Sequence, residues 1–176
     1  MIKKLSLLGI VFTSFFLLTG CTKDNKKVEY QDPEAPANLR EITGEIVKAK
    51  VDDNENIIIN EDEITEDAVY ISYEYDGVTI GLLAVRNSEG KVIVVVNTCQ
   101  SCGGSPYAYF VQVGKRVQCQ NCGNYFAIDD LDSLTKDGCN PIEIEDRIDK
   151  DGKIIIGTEQ LKKLKNKFEN WKGPKA

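Results

Sequence analysis

Two closely spaced cysteine pairs are the residues of this chain whose types and spacing could do chemistry. Cys99 and Cys102 form one Cys-x-x-Cys pair, and Cys119 and Cys122 form a second pair sixteen residues later. A tight turn directs two sulfurs three residues apart at one point, so two such turns supply four thiolates, which is typical of a four-cysteine metal site. Glycine follows the second cysteine of each pair and permits the positive φ that such a turn needs. The sequence therefore predicts that these four cysteines bind a metal or an iron–sulfur cofactor.

A fifth cysteine, Cys139, follows Cys122 after sixteen further residues and stands between Gly138 and Asn140-Pro141. Glycine before it and proline soon after it favour a rigid turn, which predicts that Cys139 lies near the site. From the residues alone its role stays open. It is a candidate ligand that replaces one of the four, a candidate disulfide partner, or a small buried residue.

Four thiolates suit an iron–sulfur cluster, a single iron ion or zinc. Two alternatives need no metal. Cysteines outside the cytoplasm often oxidise to disulfides, but two adjacent Cys-x-x-Cys turns are poorly placed to staple distant segments. A thiol–disulfide redox protein is the other alternative, and its motif is typical of a helix N-terminus in a βαβ unit, whereas strand patterns flank both pairs here. The pattern therefore favours metal binding.

The composition excludes several classes of protein. The chain has 176 residues and no histidine, which excludes a Ser/His/Asp triad, a histidine general base and a histidine-ligated metal. Its net charge of −6 argues against nucleic acid as a partner, because a phosphate backbone requires basic surface. We therefore expect no catalytic residue. The protein is expected to be a metal-binding protein or an electron carrier and not an enzyme with its own substrate.

Residues 1–20 are typical of a bacterial signal peptide. Lys3-Lys4 precedes an apolar run, Leu5–Leu18, which is short for a membrane-spanning helix of about twenty residues. The run ends in Leu18–Cys21, which resembles the lipobox of bacterial lipoproteins, and this resemblance implies cleavage before Cys21 and lipidation of its thiol. An uncleaved signal anchor is the alternative. Both place the rest of the chain outside the cytoplasm, at the cell membrane.

Residues 21–40 are polar and contain Pro33 and Pro36, so they are predicted to form a flexible tether. The preceding signal has no twin-arginine pair, and proteins with preloaded clusters are usually exported already folded. Without that signal the protein would have to acquire its metal outside the cytoplasm, which is easier for zinc than for an iron–sulfur cluster. Zinc is therefore kept as the alternative.

Residues 41–172 are predicted to form one β-rich metal-binding domain. Asp76-Gly77, between two runs of alternating hydrophobicity, is a strong hairpin signal. Val92–Val96 is apolar on both faces, as expected of a covered central strand. We expect a mainly β fold, an antiparallel meander or small barrel-like sheet, that leads directly into Cys99. The predicted strands are Ile42–Val51, Ile57–Ile59, Val69–Tyr75, Val78–Arg86, Lys91–Asn97, Tyr107–Val113 and Arg116–Gln118.

The C-terminal segment is predicted to form a helix. Thr158 can act as its N-cap, Gly173-Pro174 ends the pattern, and an apolar stripe recurs at helical spacing. The pattern is compatible with a helix packed on the sheet and with a basic amphipathic helix on a membrane, and its large aromatic residues favour packing. The stripe consists of Leu161, Leu164, Phe168 and Trp171.

The stretch from about Asn54 to Trp171 resembles the FtrD-like family of membrane-associated iron–sulfur proteins. The matching sequences are Tyr73–Gly77, Val85–Val96, both Cys-x-x-Cys-Gly units and Gly138–Pro141. The resemblance implies that the cysteines hold an iron–sulfur cluster. Because members of this family accompany iron permeases, it also implies a single-electron carrier accessory to iron transport, with a membrane permease or a redox protein as partner. The alternative is a zinc-stabilised four-cysteine module on the same transporter.

The layout of the cysteine loops also resembles that of Rieske domains, in which two ligand loops flank a hairpin. Asn97–Cys102 and Cys119–Phe126 take similar positions, and Gly123 and Phe126 match the Gly-x-x-Phe that follows the second loop. Because the chain has no histidine, a Rieske-like site here would have four cysteine ligands. This ligation favours a lower reduction potential than histidine ligation does.

Acidic residues follow the second cysteine pair and Cys139 closely. Carboxylates bind iron in its ionic forms, so a docking patch for transported iron is one hypothesis, and ordinary solvated surface charge is the other. The residues are Asp129, Asp130, Asp132, Glu143 and Glu145.

Overall fold

The computed structural model describes residues 36–37, 39–133 and 138–176. The predicted signal peptide, Cys21 and most of the predicted tether lie outside the described residues. In the described part the chain is mainly β, which confirms the predicted fold class, and none of its helices is long and apolar enough to span a membrane. The elements are β1 (Glu45–Lys48), β2 (Lys50–Val51), β3 (Ile57–Asn60), β4 (Val69–Tyr75), β5 (Val78–Arg86), β6 (Val92–Cys99), β7 (Phe110–Val113), β8 (Arg116–Cys119), β9 (Tyr125–Ala127), β10 (Pro141–Glu143), β11 (Arg147–Lys150), β12 (Lys153–Ile156) and α1 (Glu159–Lys163).

Five strands form the sheet from which the first cysteine pair extends, in the order β1-β4-β5-β6-β10. β4 and β5 pair antiparallel across Asp76-Gly77, where both residues adopt positive φ, and this confirms the predicted hairpin. β5 continues into β6 through a second tight turn that ends at Gly90. β1 lies parallel to β4, so the antiparallel meander has one parallel edge strand.

β6 is buried along its whole length, which confirms the covered central strand. Val94 and Val96 face a core shared with β3 and β12, whereas Ile93 and Val95 face a second core shared with β7 and β8. Because successive side chains of a strand point to opposite faces, this one strand holds both layers together. At its end Cys99 joins the second core.

β7 and β8 form the predicted hairpin between the two cysteine pairs. Its turn contains Gly114 in the positive-φ region, and its ladder places Phe110 opposite Cys119. Phe110 and Val117 are fully buried in the second core. Because β8 ends at Cys119, the hairpin returns the second pair to the side of the first.

The C-terminal helix is shorter than predicted. α1 ends at Lys163, where the Leu164 N–H is shared between the carbonyls of Gln160 and Leu161 and the chain tightens into a 3-10 turn. Thr158 makes no side-chain capping bond. The expectation of one helix along the whole apolar stripe is therefore wrong. The α-helix ends after five residues, because the hydrogen bonds that follow are those of a 3-10 turn.

The predicted packing of this segment on the sheet is confirmed. Leu161, Phe168 and Trp171 are buried in the core that contains β3 and β12. Gly81 of β5 leaves space for the indole ring, since a Cβ at this position would lie 2.3 Å from Cη2 of Trp171. The segment is thereby held beside the first cysteine pair, where the Gly104 N–H donates to the Lys167 carbonyl at 3.1 Å.

Candidate metal centre

The first cysteine pair lies where β6 leaves the sheet. The β6–β10 ladder shifts register at this point, and Asn97 and Thr98 have no β10 partner. Such bulges bend a strand and redirect its side chains. The chain then turns back so that the Cys102 N–H approaches the Cys99 Sγ at 3.4 Å. This is the tight turn that the Cys-x-x-Cys spacing predicts.

The second cysteine pair lies where β8 ends. The Cys119 N–H donates to the Asn124 carbonyl at 2.9 Å, and the Gly123 N–H donates to the Cys119 carbonyl at 2.8 Å. Gly123 adopts a φ of 78°, which a side chain would disfavour. Cys119 is buried, whereas Cys122 is exposed. The turn therefore buries Cys119 and leaves Cys122 exposed, with the Cys122 thiol still in contact with the thiols of Cys119 and Cys139.

Cys139 is held over the first pair by hydrogen bonds on both sides of it in the chain. The Gly138 carbonyl accepts the Ser101 hydroxyl at 2.6 Å, and the Asn140 carbonyl accepts the Gln100 N–H at 3.0 Å. These contacts join residues almost forty positions apart in the sequence and bring the Cys139 thiol to the site.

Four sulfur atoms converge at the end of β6. The Sγ atoms of Cys99, Cys102, Cys119 and Cys139 all lie within 4.8 Å of one another. The Cys139 Sγ is 3.3 Å from that of Cys99 and 3.6 Å from that of Cys102. Cys122 interacts with Cys119 and Cys139 but lies outside this set of mutually close sulfurs. Three of the four cysteines chosen from the paired spacing are thus in the close set, and which cysteines bind a metal stays a prediction.

Hydrogen bonds among the thiols separate their pKa values. A hydrogen bond from the Cys119 thiol outweighs the effect of burial and lowers the pKa of Cys99 to about 5. The same hydrogen bond, together with burial, raises the pKa of Cys119. Burial and contacts with neighbouring sulfurs raise the pKa of Cys102 and of Cys139. Before metal binding, the close set therefore holds one thiolate and three protonated thiols at neutral pH.

We expect the affinity of this site for a metal ion to rise with pH across the neutral range. If the four sulfurs of the close set are the ligands, binding displaces the protons of Cys102, Cys119 and Cys139, whereas Cys99 is already ionised above its pKa of about 5. About three protons should therefore leave per metal ion bound. Titration calorimetry in buffers of different ionisation enthalpy measures this number. A pH-independent affinity would contradict the assigned protonation states.

Residues that the sequence analysis did not single out brace the second turn. Arg40 donates from its backbone N–H to Gln120 Oε1 at 2.6 Å and from its Nε to Gln118 Oε1 at 3.0 Å. Gln118 in turn donates from Nε2 to the Gly123 carbonyl at 3.2 Å. Both glutamines are buried. The one feature of the sequence that could have indicated their role is their position directly before and after Cys119. About eighty residues separate Arg40 from them, so no local pattern connects the three.

The residues present fit a soft metal bound by thiolates. The close set consists of cysteines alone, and four thiolates suit iron or zinc. Directly before Cys99, the buried Nδ2 of Asn97 and Oγ1 of Thr98 have no hydrogen-bond partner among the described residues. Leaving such a group unpaired costs roughly 1–3 kcal/mol.

The acidic residues considered for an iron-docking patch do not converge in this way. Asp129 accepts hydrogen bonds from the backbone and side chain of Ser88, and Asp132 pairs with Lys91 at 2.6 Å. Glu143 and Glu145 line a cleft of about 430 Å³ beside α1, together with Gln100 and Asn140. Among the described residues, the four cysteines of the close set form the only group of three or more potential metal ligands that converge on one point, and no acidic residue belongs to it. These contacts favour the hypothesis that the acidic residues are ordinary solvated surface charge.

A model of the FtrD-like family, described as membrane iron-sulfur containing proteins, matches residues 64–168, more than half of the chain. The chain belongs to the FtrD-like family. The matched region of this FtrD-like protein includes both cysteine pairs and Cys139, and it confirms the family resemblance found in the sequence. The family description and the close set of sulfurs together identify a metal-binding protein of a membrane-associated family.

Among solved structures, the FtrD-like chain is similar to the quaternary ammonium Rieske monooxygenase CntA in complex with an inhibitor. The two share 15% sequence identity with a TM-score of 0.34, over 52% of this chain and 27% of the monooxygenase chain. No curated protein matches the chain.

Proposed function

We propose that this FtrD-like protein is an extracytoplasmic, lipid-anchored carrier that passes single electrons from a thiolate-bound iron–sulfur centre to a membrane partner in iron transport. The observation that carries the proposal is the convergence of four cysteine sulfurs within 4.8 Å. When bound, iron supplies the reversible change of oxidation state, and the chain supplies the ligands and their surroundings.

The ligand set favours electron transfer over catalysis on a substrate. Four thiolates saturate a tetrahedral centre and leave no open position for water or substrate. The chain contains no histidine to act as a general base. A site of this kind changes redox state or holds structure, and a family described as iron-sulfur containing supports the first role.

The surroundings of the site suit contact with a partner. Cys99 and Cys119 are buried, which anchors the centre, whereas Cys102 is half-buried and Cys122 is exposed at the surface. Residues 97–114 and 117–128, which form both cysteine loops, contain no charged side chain. The charges beside these loops are cations from other segments, since Lys167 Nζ donates to the Gln100 carbonyl at 3.3 Å and Arg40 Nε donates to Gln118 Oε1 at 3.0 Å. A partly exposed centre favours a short path for the electron to a partner.

A reductive titration tests the electron-carrier function. The mature protein, purified without oxygen, is expected to contain iron, to absorb visible light through sulfur-to-iron charge transfer, and to show a reversible one-electron wave. The measurement is spectroelectrochemistry combined with metal analysis. A redox-silent protein that still restores iron uptake in a deletion strain would contradict the carrier function.

The second candidate function is a zinc-stabilised binding module on the same membrane transporter. The short separations between the sulfurs favour it, because one tetrahedral zinc ion is a sufficient occupant for four thiolates so close together. A colourless protein with one zinc per chain would support this candidate. A thiol–disulfide redox role has less support, because both Cys-x-x-Cys pairs follow β-strands and neither begins a helix.

We expect anchoring through a lipid on Cys21. Leu18–Cys21 follows a short apolar run and matches the position of a lipoprotein processing site. Mass spectrometry of the protein from its native membrane should find a chain that begins at an acylated Cys21, and Cys21→Ser should release the protein from the membrane fraction. An intact Met1 in the native protein would contradict the anchoring.

A further inference from the structure

The geometry points to a single metal ion held by Cys99, Cys102, Cys119 and Cys139, with Cys122 outside its coordination sphere. This inference rests on the proposed function only in requiring a metal centre. It departs from the iron–sulfur centre of that proposal by assigning one metal ion without sulfide, and it adds the identity of the fourth ligand.

The separations between the sulfurs fit one tetrahedral ion. Metal–sulfur bonds of about 2.3 Å place the corners of a tetrahedron about 3.8 Å apart. The Cys139 Sγ lies 3.3 Å from Cys99 Sγ and 3.6 Å from Cys102 Sγ, and no pair among the four exceeds 4.8 Å. A small expansion of the set around an ion at its centre reaches the tetrahedral spacing.

A polynuclear cluster requires a wider arrangement of ligands. In such a cluster the cysteines bind different iron atoms, and sulfide ions lie between the irons. Thiolates on different irons therefore stand further apart than two thiolates on one iron. Sulfurs that are all within 4.8 Å of one another enclose space for an ion and not for several irons with their sulfides.

Backbone contacts make Cys139 the fourth ligand. Its neighbour Pro141 pairs with Cys99 in the β6–β10 ladder, and the carbonyls of Gly138 and Asn140 accept hydrogen bonds from the first cysteine turn. Cys139 is thereby attached to the same turn as two of the other ligands. Its position follows from these contacts between segments and not from the paired spacing.

Cys122 has a different environment. It is exposed, and it lies within the turn whose hydrogen bonds fix the backbone of Cys119 and Gly123. It interacts with the sulfurs of Cys119 and Cys139 from outside the close set. Because a tetrahedral ion accepts four ligands, the fifth thiol remains uncoordinated at the rim.

Two substitutions of the same kind test the assignment of the ligands. Cys122→Ser and Cys139→Ser are made in the full mature chain, which is purified without oxygen and loaded with Fe²⁺ alone or with Zn²⁺ alone. We expect Cys122→Ser to retain one metal ion per chain with four sulfur neighbours by X-ray absorption. We expect Cys139→Ser to lose at least about a hundredfold in affinity, more than the loss of an outer-shell contact causes.

Two outcomes overturn the assignment of the fourth ligand. Loss of the metal from Cys122→Ser would make Cys122 a ligand, and full retention of affinity by a folded Cys139→Ser would remove Cys139 from the ligand set. Circular dichroism of the metal-free variants checks folding, and the sulfur count of Cys122→Ser decides the ligand set even if Cys139→Ser fails to fold.

The number of metal ions is tested on the unaltered protein from its native membrane, by its ratio of iron to acid-labile sulfide. One iron or one zinc without sulfide is expected. Two or more irons with sulfide would overturn the single-ion inference while leaving the electron-carrier function intact. One redox-silent zinc would refute the carrier and support the single-ion site.

Discussion

Replacing Cys99 with serine is expected to abolish metal binding. Cys99 is fully buried at the end of β6, and its sulfur contacts Cys139 Sγ at 3.3 Å and accepts a hydrogen bond from the thiol of Cys119. A serine hydroxyl is a hard, un-ionised donor that cannot replace a thiolate on iron or zinc. The stabilisation that metal binding adds to the folded state should be lost with the metal.

Metal content after oxygen-free purification measures the effect of Cys99→Ser directly. Urea unfolding of the two metal-free proteins is the control, because serine and cysteine have similar shapes and the metal-free variant should remain folded. Adding metal should then raise the unfolding midpoint of the unaltered protein and leave that of Cys99→Ser unchanged. A variant that keeps one metal per chain would show that Cys99 is not a ligand.

Replacing Trp171 with alanine is expected to destabilise the fold by about 3–5 kcal/mol. The ring is buried and meets Phe168 and Tyr109 edge to face, with centroid distances of 5.2 Å and 6.1 Å. It also fills the space over Gly81. Its indole nitrogen has no hydrogen-bond partner among the described residues, so the loss is one of packing.

Urea unfolding of the metal-free chain gives the effect of Trp171→Ala separately from metal binding. Ile148→Ala is a suitable control because this side chain is 57% exposed on β11, and its truncation should change the free energy of unfolding by less than about 0.5 kcal/mol. If the two variants were equally stable, Trp171 would not belong to the core. The alternative of a C-terminal segment bound to a membrane would then be favoured.

The sequence alone determined the elements whose signals are local. Val69–Tyr75 and Val78–Arg86 are strands with the same bounds in the structure, because alternating hydrophobicity and the Asp76-Gly77 turn act over a few residues. The run Val92–Val96 also revealed a strand covered on both faces. Each Cys-x-x-Cys turn was predictable because four consecutive residues suffice to define it.

Only the tertiary structure decided features that depend on distant residues. β1 pairs parallel with β4, and Arg40 reaches Gln118 and Gln120 across about eighty residues. The helix predicted by the apolar stripe ends at Lys163, because a 3-10 turn carries Phe168 and Trp171 into the core. Periodicity reports which face of a segment is apolar, and it does not report where packing will end a helix.

The candidate metal centre shows the same division. The cysteine spacing correctly placed Cys99, Cys102 and Cys119 in the close set of sulfurs. It favoured Cys122 over Cys139 as the fourth member, because spacing reports only which residues are close in sequence. In the folded chain, pairing between β6 and β10 brings Cys139 to the first pair, while the second turn exposes Cys122. Which thiols meet is decided by the register of two strands about forty residues apart, and register is set by the burial of whole faces.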